Sequence, residues 1–453
     1  MLYMGAPIAT AALKRQRTNV VGSGLQLKST INREVLGMSQ KDAEAWQKHT
    51  EAEFALWASN KNACDAIGIN DFYGLQQLVM LAWPMSGDVF ALIKRYNATP
   101  LMPYTLRLQL IEADRVRTPS PIGFSKTTGE TETGNPIFDG VEVNKQGRIV
   151  AYHIANTYPA QTVLDKTDYT RVEAYGRKTG LPNILHIMDT ERPEQYRGVP
   201  YLAQAMEPLL QMRRYTESEL MAALVQSFFT AFITTNAGTD MIPFNEVPDD
   251  NISNNVNEYE VGPGTINMLA PGENVAFGNP SHPNTGFDVF MRAMYEQVGA
   301  SLEIPADLLM MSFNSSYSAS RAALLEAWKA FRMRRSWLVK DFCAPVYELW
   351  LTEAVATGRI SAPGFLTDPL IRHAYLQSDW VGPSQGQIDP VKEVQSSLLA
   401  IEGGLSTHEA EAIKINGSDF KANADKLVAE NAALLAANPD FQQVTMQGGE
   451  KTE

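Results

Sequence analysis

The sequence predicts an α+β fold, with helices and antiparallel strands gathered in separate stretches rather than alternating. Three observations carry that expectation. Apolar residues recur at helical spacing over 39–59 and 71–83. From Val89 to Ile154 the period drops to two. Beyond Tyr201 helical spacing returns in runs much longer than an average helix.

The elements follow in order. Residues 1–20 begin as a short helix and meet a turn at Val21-Gly22-Ser23-Gly24. Over 39–59, Ser39 is the expected N-cap, and Ala43, Trp46, Phe54 and Trp57 share one face. Asp71 to Trp83 is a second helix, expected to stop near Pro84. Val89–Ile93, Tyr104–Leu108, Gly140–Val143 and Ile149–Ile154 are predicted strands, with a hairpin turn at Asn144-Lys145-Gln146-Gly147 between the last two. Residues 120–138, rich in Gly, Thr, Ser and Pro, are expected to be loop.

Tyr201 to about Thr234 is predicted to be one long helix, with Pro200 suited to its first turn. From Asn236 to about Asn284 apolar periodicity is lost, and Thr265–Leu269 is the clearest strand there. Phe287 to Leu302 returns to helix. Ile304 to Tyr317 is a break, uncharged except for Asp307. Ser318 is the expected cap of the longest run, which reaches Gly358 and spans roughly 60 Å at about 1.5 Å per residue. Pro345 lies inside it and predicts a kink. From Pro390 short helices are separated by turns at Gly403-Gly404 and Asn416-Gly417. A lone subunit has difficulty burying such extended helices, whereas side-by-side packing in a closed oligomer covers their remaining faces.

Bulk properties exclude several classes. The chain has 453 residues, 44% hydrophobic and 20% charged, which describes a folded protein with more than one substructure. No stretch approaches the roughly 20 unbroken apolar residues that span a bilayer; Leu220 to Ile233, the most apolar, is interrupted by Gln226, Ser227 and Thr230. Lys14, Arg15 and Arg17 follow the first apolar segment rather than precede it, the reverse of a signal peptide. Cys64 and Cys343 stand far apart and read as buried, reduced thiols. With 38 basic and 51 acidic side chains the formal charge is −13, so tight binding of duplex DNA in bulk is not expected.

Catalytic signatures are missing. There is no phosphate-binding Gly-x-x-x-x-Gly-Lys loop, no Gly-x-Ser-x-Gly elbow and no His-Glu-x-x-His, and Gly22-Ser23-Gly24 lacks the third glycine of a dinucleotide fingerprint. His49, His153, His186, His282, His373 and His408 are scattered, none at metal spacing from another. Asp249-Asp250 reads as a solvated acidic loop in preference to a cation site. Ser316 and Ser318 have no base nearby and read as helix caps. No catalytic residue, metal site or cofactor is therefore expected. Arg321, Lys329, Arg332, Arg334, Arg335 and Lys340 make the long helix basic. That stretch suits DNA phosphates or acidic neighbours, but an ordinary polar face, paired with Glu326 and similar groups, is the simpler reading. Trp328, Phe331, Trp337 and Trp350 read as core or subunit-contact residues.

Several segments, in order and spread over most of the chain, together resemble the lambda-type tailed-phage portal family. They include Thr18–Leu25, Cys64-Asp65-Ala66, Ser86-Gly87-Asp88, Ile111–Arg115, Gly140-Val141-Glu142, Gly147–Tyr152, Arg197-Gly198-Val199-Pro200, Leu269–Glu273, Asn314–Arg321 and Asp389–Glu393. The resemblance implies a homo-oligomeric ring, typically of twelve subunits, at one capsid vertex of the virion, assembled in the host bacterial cytoplasm and not in a membrane. Double-stranded DNA would pass through it during packaging and ejection. Its partners would be terminase, head–tail adaptor proteins, and the major capsid and scaffold proteins. It also implies a portal fold with an α/β wing, a two-helix stem, a small α/β clip, a long kinked wing helix and a helical crown. On this chain those regions map to 1–200 (N-terminal wing), 201–235 (first stem helix and lead-in), 236–284 (clip), 285–303 (second stem helix), 304–317 (channel loop), 318–389 (long helix and C-terminal wing) and 390–453 (crown and tail). Family members usually carry a further segment ahead of the region matching Met1, so this chain reads as a trimmed form or a shorter relative.

The expected DNA-contact residues are Asn314, Ser315, Ser316 and Tyr317 in the loop, with Lys329, Arg332 and Arg335 on the helix. Asp240, Asp249, Asp250 and Asn254 are expected to dock terminase or adaptor. The alternatives are a metal-dependent nucleic-acid-processing enzyme and a non-portal capsid scaffold or connector.

Overall fold

A computed structural model of the chain describes residues 6–119, 128–131, 134–158, 168–228, 232–235, 273–276, 286–312, 316–386 and 389–437. The chain divides into two compact units, Met1–Met206 with Tyr295–Glu453, and Glu207–Met294. Helices and antiparallel sheets occupy separate stretches, as an α+β fold requires.

Helix α1 (Pro7–Val20) opens with proline in its first turn, where the missing N–H has no helical partner to lose. After β1 (Gln26–Ser29) come α2 (Arg33–Leu36), α3 (Gln40–Ala58), α4 (Lys61–Cys64) and α5 (Phe72–Ser86). Side chains cap all four: Asn32, Ser39, Asn60 and Asp71 accept from backbone amides of Val35, Asp42, Asn62 and Gly74. Ser39 is thus the cap expected. Helix α5 passes through Pro84 instead of stopping before it, and ends at Ser86. The proline gives up one bond back to the Met80 carbonyl, and the helix runs only two residues beyond it before Gly87 at φ 91° breaks the chain out.

Strands β2 (Asp88–Arg95) and β3 (Leu106–Glu112) pair antiparallel from Val89 opposite Glu112 to Arg95 opposite Leu106. The second strand therefore lies C-terminal to the expected Tyr104–Leu108, because its extent is set by its partner. Next come β4 (Thr128–Glu130), β5 (Pro136–Phe138), β6 (Val141–Val143), β7 (Ile149–Ala155), β8 (Tyr169–Glu173) and β9 (Ile184–Met188). They form a three-stranded sheet in the order β3-β2-β9 and a five-stranded meander from β4 to β8. Strands β4 and β5 fall inside the stretch expected to be loop: at three residues each they are too short for a periodic signal, and pairing of β5 with β6, and of β4 with β5, organises them. The hairpin at Asn144–Gly147 is as expected, with Asn144 Oδ1 accepting from the amides of Gln146 and Arg148. Phe90, Ile111, Val116, Val141, Tyr152 and Ile154 form a common core for these strands.

A 3₁₀ turn at Tyr201–Ala203, capped by Pro200, precedes α6 (Met206–Phe228). The helix expected to reach Thr234 is thus shorter, since Phe232–Thr235, aromatic and β-branched, is strand β10, paired with β11 (Glu273–Ala276). The expected strand at Thr265–Leu269 lies outside the described residues. Helix α7 (Phe287–Ser301) follows, and within the smaller unit its Phe287 and Phe290 rings lie 5.5 and 4.5 Å from Tyr215 of α6.

The expected break at 304–317 contains a short helix, α8 (Ala306–Met310). The long helix is α9 (Tyr317–Leu338), a π-helical turn at Val339–Cys343, and α10 (Ala344–Ala356), closed by Gly358 at φ 75°. Pro345, where a kink is expected, lies in the first turn of α10, directly after that π turn. Proline offers no N–H to the carbonyl four residues back, and a widened turn just before it absorbs the mismatch. After α11 (Pro369–Leu376), β12 (Ser378–Val381) pairs with β1 and so ties the two ends of the larger unit together. Helices α12 (Pro390–Glu402), α13 (His408–Asn416) and α14 (Phe420–Ala437) are the last described elements, with the turns at Gly404 and Gly417 as expected.

The main core is aromatic. Phe54 packs edge-on to Phe72, Tyr347 and Trp350 at 5.7, 5.8 and 5.0 Å. Helix α10 thus lies inside the protein, with Val346, Tyr347, Leu349, Trp350, Leu351 and Ala354 buried.

Candidate functional site: the basic helix and its supports

Ser316, not Ser318, caps α9: its Oγ accepts from the Ala319 amide at 3.4 Å, and its backbone is extended. Asn314 and Ser315 lie outside the described residues, and Tyr317 begins the helix. The inner face of α9 carries buried Ala327, Trp328, Phe331 and Leu338. Its outer face exposes Ser318, Ala322, Leu325, Lys329, Arg332 and Ser336, and Lys340 extends the stripe into the π turn. That spacing of three and four is one stripe of a helix.

The cations of the helix divide sharply by environment. Lys329 is exposed and pairs with Glu326 at 2.6 Å. Arg332 and Lys340 are exposed and make no hydrogen bond or ion pair among the described residues. Arg321 pairs with Glu393 of α12 at 3.0 Å. Arg335 turns inward. Its guanidinium donates to the carbonyls of Val20 (2.8 Å), Asn19 (3.0 Å) and Pro383 (2.8 Å), fixing the end of α1 and the segment after β12 to the long helix. Burial, with a smaller push from Arg332, lowers its pKa to about 10. Of the three helix residues expected to meet DNA, Lys329 and Arg332 are accessible, while Arg335 is engaged inside the subunit. Asp240, Asp249, Asp250 and Asn254 lie outside the described residues.

Sequence reasoning missed a second constellation. Arg197 donates to both Asp88 oxygens, Nε to Oδ2 at 2.6 Å and Nη2 to Oδ1 at 3.1 Å. It also donates to the carbonyls of Ala113, Val116 and Asp139. His186 Nε2 lies 3.2 Å from the same carboxylate, and the Gly198 amide donates to it at 3.1 Å. Burial raises the Asp88 pKa, but the bonds from His186 and Arg197 and the Arg197 charge outweigh it and hold the carboxyl at about 2. Burial lowers the His186 pKa more than Asp88 raises it, so the imidazole is held neutral. Gly198 is required here: a Cβ on it would fall 1.9 Å from the Gly87 carbonyl oxygen. The segments Ser86-Gly87-Asp88 and Arg197–Pro200 thus meet backbone to backbone. A comparable buried carboxylate, Glu142, accepts from Arg171 at 2.7 and 3.0 Å and from Asn135 at 2.8 Å.

These constellations lock backbone segments together. Among the described residues, no group of three or more His, Cys, Asp or Glu side chains is placed to hold a metal ion, and no helix is long and apolar enough to cross a membrane. The open cleft between the end of α7 and α9 is lined mainly by small apolar residues, among them Gly299, Ala300, Pro305, Ala306, Ala323 and Ala327.

The chain is 22% identical to the portal protein of Escherichia phage N15, over 98% of this chain and 85% of the relative. It is 22% identical to portal protein B of Escherichia phage lambda, over 95% of this chain and 81% of the relative. Among solved structures, the neck of a native gene transfer agent particle computed with C12 symmetry overlaps 92% of each chain at 12% identity and a TM-score of 0.47. A portal protein of the HK97 family from Corynebacterium diphtheriae overlaps 71% of this chain and 82% of its own at 11% identity and a TM-score of 0.32. Residues 1–335 match the family described as phage portal protein, lambda family, and the chain belongs to that family.

Proposed function

We propose that this chain is the subunit of a phage portal ring, a structural channel at one capsid vertex of the virion through which DNA is packaged and ejected. The observation that carries the reading is the family match over residues 1–335. Twelve subunits form the ring, which assembles in the host bacterial cytoplasm, nucleates the head with capsid and scaffold proteins, and docks terminase and then head–tail adaptors. Residues 1–200 and 318–389 serve as the wing, 201–235 and 285–303 as the stem, 236–284 as the clip, 304–317 as the channel loop, and 390–453 as the crown. The separate compactness of Glu207–Met294 supports a distinct stem and clip.

The ring guides DNA and does no covalent chemistry on it. Subunits of charge −13 repel phosphates and keep the duplex centred and mobile. Asn314, Ser315, Ser316 and Tyr317 give weak, replaceable contacts, and Lys329 and Arg332 add shallow attraction. Asp240, Asp249, Asp250 and Asn254 serve docking. One observation favours a different partner for the helix: Leu325 and Met333, 45% and 41% exposed, lie beside Lys329 and Arg332, a mixture suited to a neighbouring subunit.

Electron microscopy of the purified protein tests the reading, which requires closed, flared rings with a stem. Absence of closed rings at every concentration and salt tried overturns it. Deleting 312–317 is expected to leave rings intact and impair packaging or genome retention. Normal packaging of full-length DNA by that variant removes the loop assignment.

A further inference from the structure

The segment between α7 and α9 leaves its first helix through an unusual turn. Glu303 takes φ 55°, a left-handed conformation that a residue with a Cβ adopts at a cost. Met311, at the far end of α8, does the same with φ 57°. The Ile304 amide donates to the Gly299 carbonyl at 2.9 Å, and a Cβ on Gly299 would fall 2.4 Å from the Ile304 carbonyl oxygen. The turn is therefore tight and admits only glycine at its start.

What holds it is Arg334. Its side chain is 4% exposed, and Nη2 donates to the Leu302 carbonyl at 3.2 Å and to Glu303 Oε2 at 2.8 Å. The guanidinium carbon lies 5.2 Å over the ring of Tyr201, whose hydroxyl donates to Asp189 at 3.0 Å. One buried cation thus grips both residues at the point where the backbone turns left-handed, one by its carbonyl and the other by its carboxylate. The pair is a poor source of net stability, because a buried guanidinium has lost its water and the Glu303 side chain remains 54% exposed. Its consequence is geometric. A left-handed residue with a Cβ persists only where its surroundings over-determine it.

We propose that Arg334 is a positioning residue that clamps the turn at Leu302–Glu303 and thereby sets where α8 and the two residues after it, Met311 and Ser312, are presented. The consequence for DNA rests on the reading of 304–317 as channel loop. The clamp itself does not.

The test is hydrogen–deuterium exchange on assembled full-length rings of Arg334→Met and Glu303→Gln, with melting temperature and genome retention measured alongside. Met fills a similar volume without a charge, and Glu303 stays half-solvated, so Arg334→Met, which strips the Leu302 carbonyl of its donor, is expected to keep its rings and lose no more than a few degrees of melting temperature. Amides of 304–312 are nonetheless expected to exchange about tenfold faster. Glu303→Gln, at a half-solvated side chain, keeps the fold and moves the same amides in the same direction by less. Unchanged exchange in both variants overturns the proposal. So does loss of rings in Arg334→Met with unchanged exchange in Glu303→Gln, which would make Arg334 a folding residue only. Faster exchange together with wild-type genome retention supports the clamp and removes the channel-loop reading.

Discussion

Arg197 and Asp88, 109 residues apart, meet in a two-pronged ion pair in which the carboxylate is 1% exposed and the guanidinium 17%. The pair closes the junction where α5 hands over to β2 and where the chain leaves the sheets for Tyr201. Its acceptors exceed the carboxylate: three carbonyls, from Ala113, Val116 and Asp139, also receive Arg197 protons. Removing Arg197 leaves the buried Asp88 charge without its guanidinium, and removing Asp88 leaves Arg197 only the half-exposed Asp139 carboxylate at 3.2 Å.

Asp88→Asn is therefore expected to cost on the order of 3–5 kcal/mol and to lower the melting temperature by several degrees. The pH dependence follows from the sign of the shift. A carboxyl held at about 2 when folded, against an ordinary value near 4 when unfolded, stabilises fully above the unfolded value and loses that contribution as pH falls through the folded one. His186 acts in the same direction at higher pH. Its lowered pKa means that the unfolded state takes up a proton first as pH falls below about 6.5. Melting temperature measured from pH 7 to pH 3 is expected to fall steadily, with a flatter acid limb in Asp88→Asn. A wild-type acid limb in that variant sinks the account.

How much of this was legible beforehand depends on the range of the interaction. Ser39, the Asn144 turn and the turns at Gly404 and Gly417 are fixed by neighbours within four residues, and spacing alone finds them. Ser316 and Ser318 are equally good caps in isolation, and which one is used depends on where Ala327 and Trp328 meet the core. Strands β4 and β5 owe their existence to a partner strand, so three residues of each show no pattern. The segments containing Asp88 and Arg197 were each visible as short motifs, but nothing local says that they touch. Arg332 and Arg335 lie one turn apart, yet one faces solvent and the other three carbonyls, because the polypeptide at Asn19, Val20 and Pro383 passes only one side of α9.

That contrast gives a paired prediction. Arg335→Met removes three charge-assisted hydrogen bonds to carbonyls and is expected to lower the melting temperature measurably. Its residual effect on DNA should not depend on salt. Arg332→Ala breaks no hydrogen bond or ion pair among the described residues, so stability is expected to stay within about 0.5 kcal/mol of wild type. If Arg332 meets phosphate, the salt dependence of DNA binding by the ring becomes shallower. If it meets a neighbouring subunit, ring stability at low protein concentration falls. A variant unchanged in both assays leaves the outer face of α9 without a function.

The two cysteines make a sharper chemical test. Burial, then the nearby Asp65 charge, pushes the Cys64 thiol up to about 12, and burial alone pushes Cys343 up. Both are free and buried. Thiol titration at pH 8 is expected to find neither reactive in the native protein and both after denaturation, since the thiolate is the attacking species. A rapidly reacting native thiol would show that its surroundings open far more often than this packing allows.

The C-terminal helices are fastened differently from the rest. Lys28 of β1 reaches both Glu409 of α13 and, at 2.8 Å, Asp419 just ahead of α14. Lys421 pairs with Glu44 of α3, and Lys48 lies 3.7 Å from Asp425. No residue of α14 is buried, and Leu427, Val428 and Leu434 are exposed. Apolar packing therefore contributes little there, and the latch is a set of partly exposed ion pairs, each worth roughly 0–1 kcal/mol and screened by salt. Raising salt from about 0.05 M to about 1 M is expected to increase hydrogen exchange and proteolytic cleavage within 408–437, while the aromatic core around Phe54 and Trp350 keeps its protection. Lys28→Met should reproduce the effect at low salt, because Lys28 alone serves two carboxylates. Cleavage insensitive to salt in the wild-type subunit would show that something other than these pairs holds the helices down. In an assembled ring, protection that persists at about 1 M salt would identify apolar contacts between copies as that second fastening.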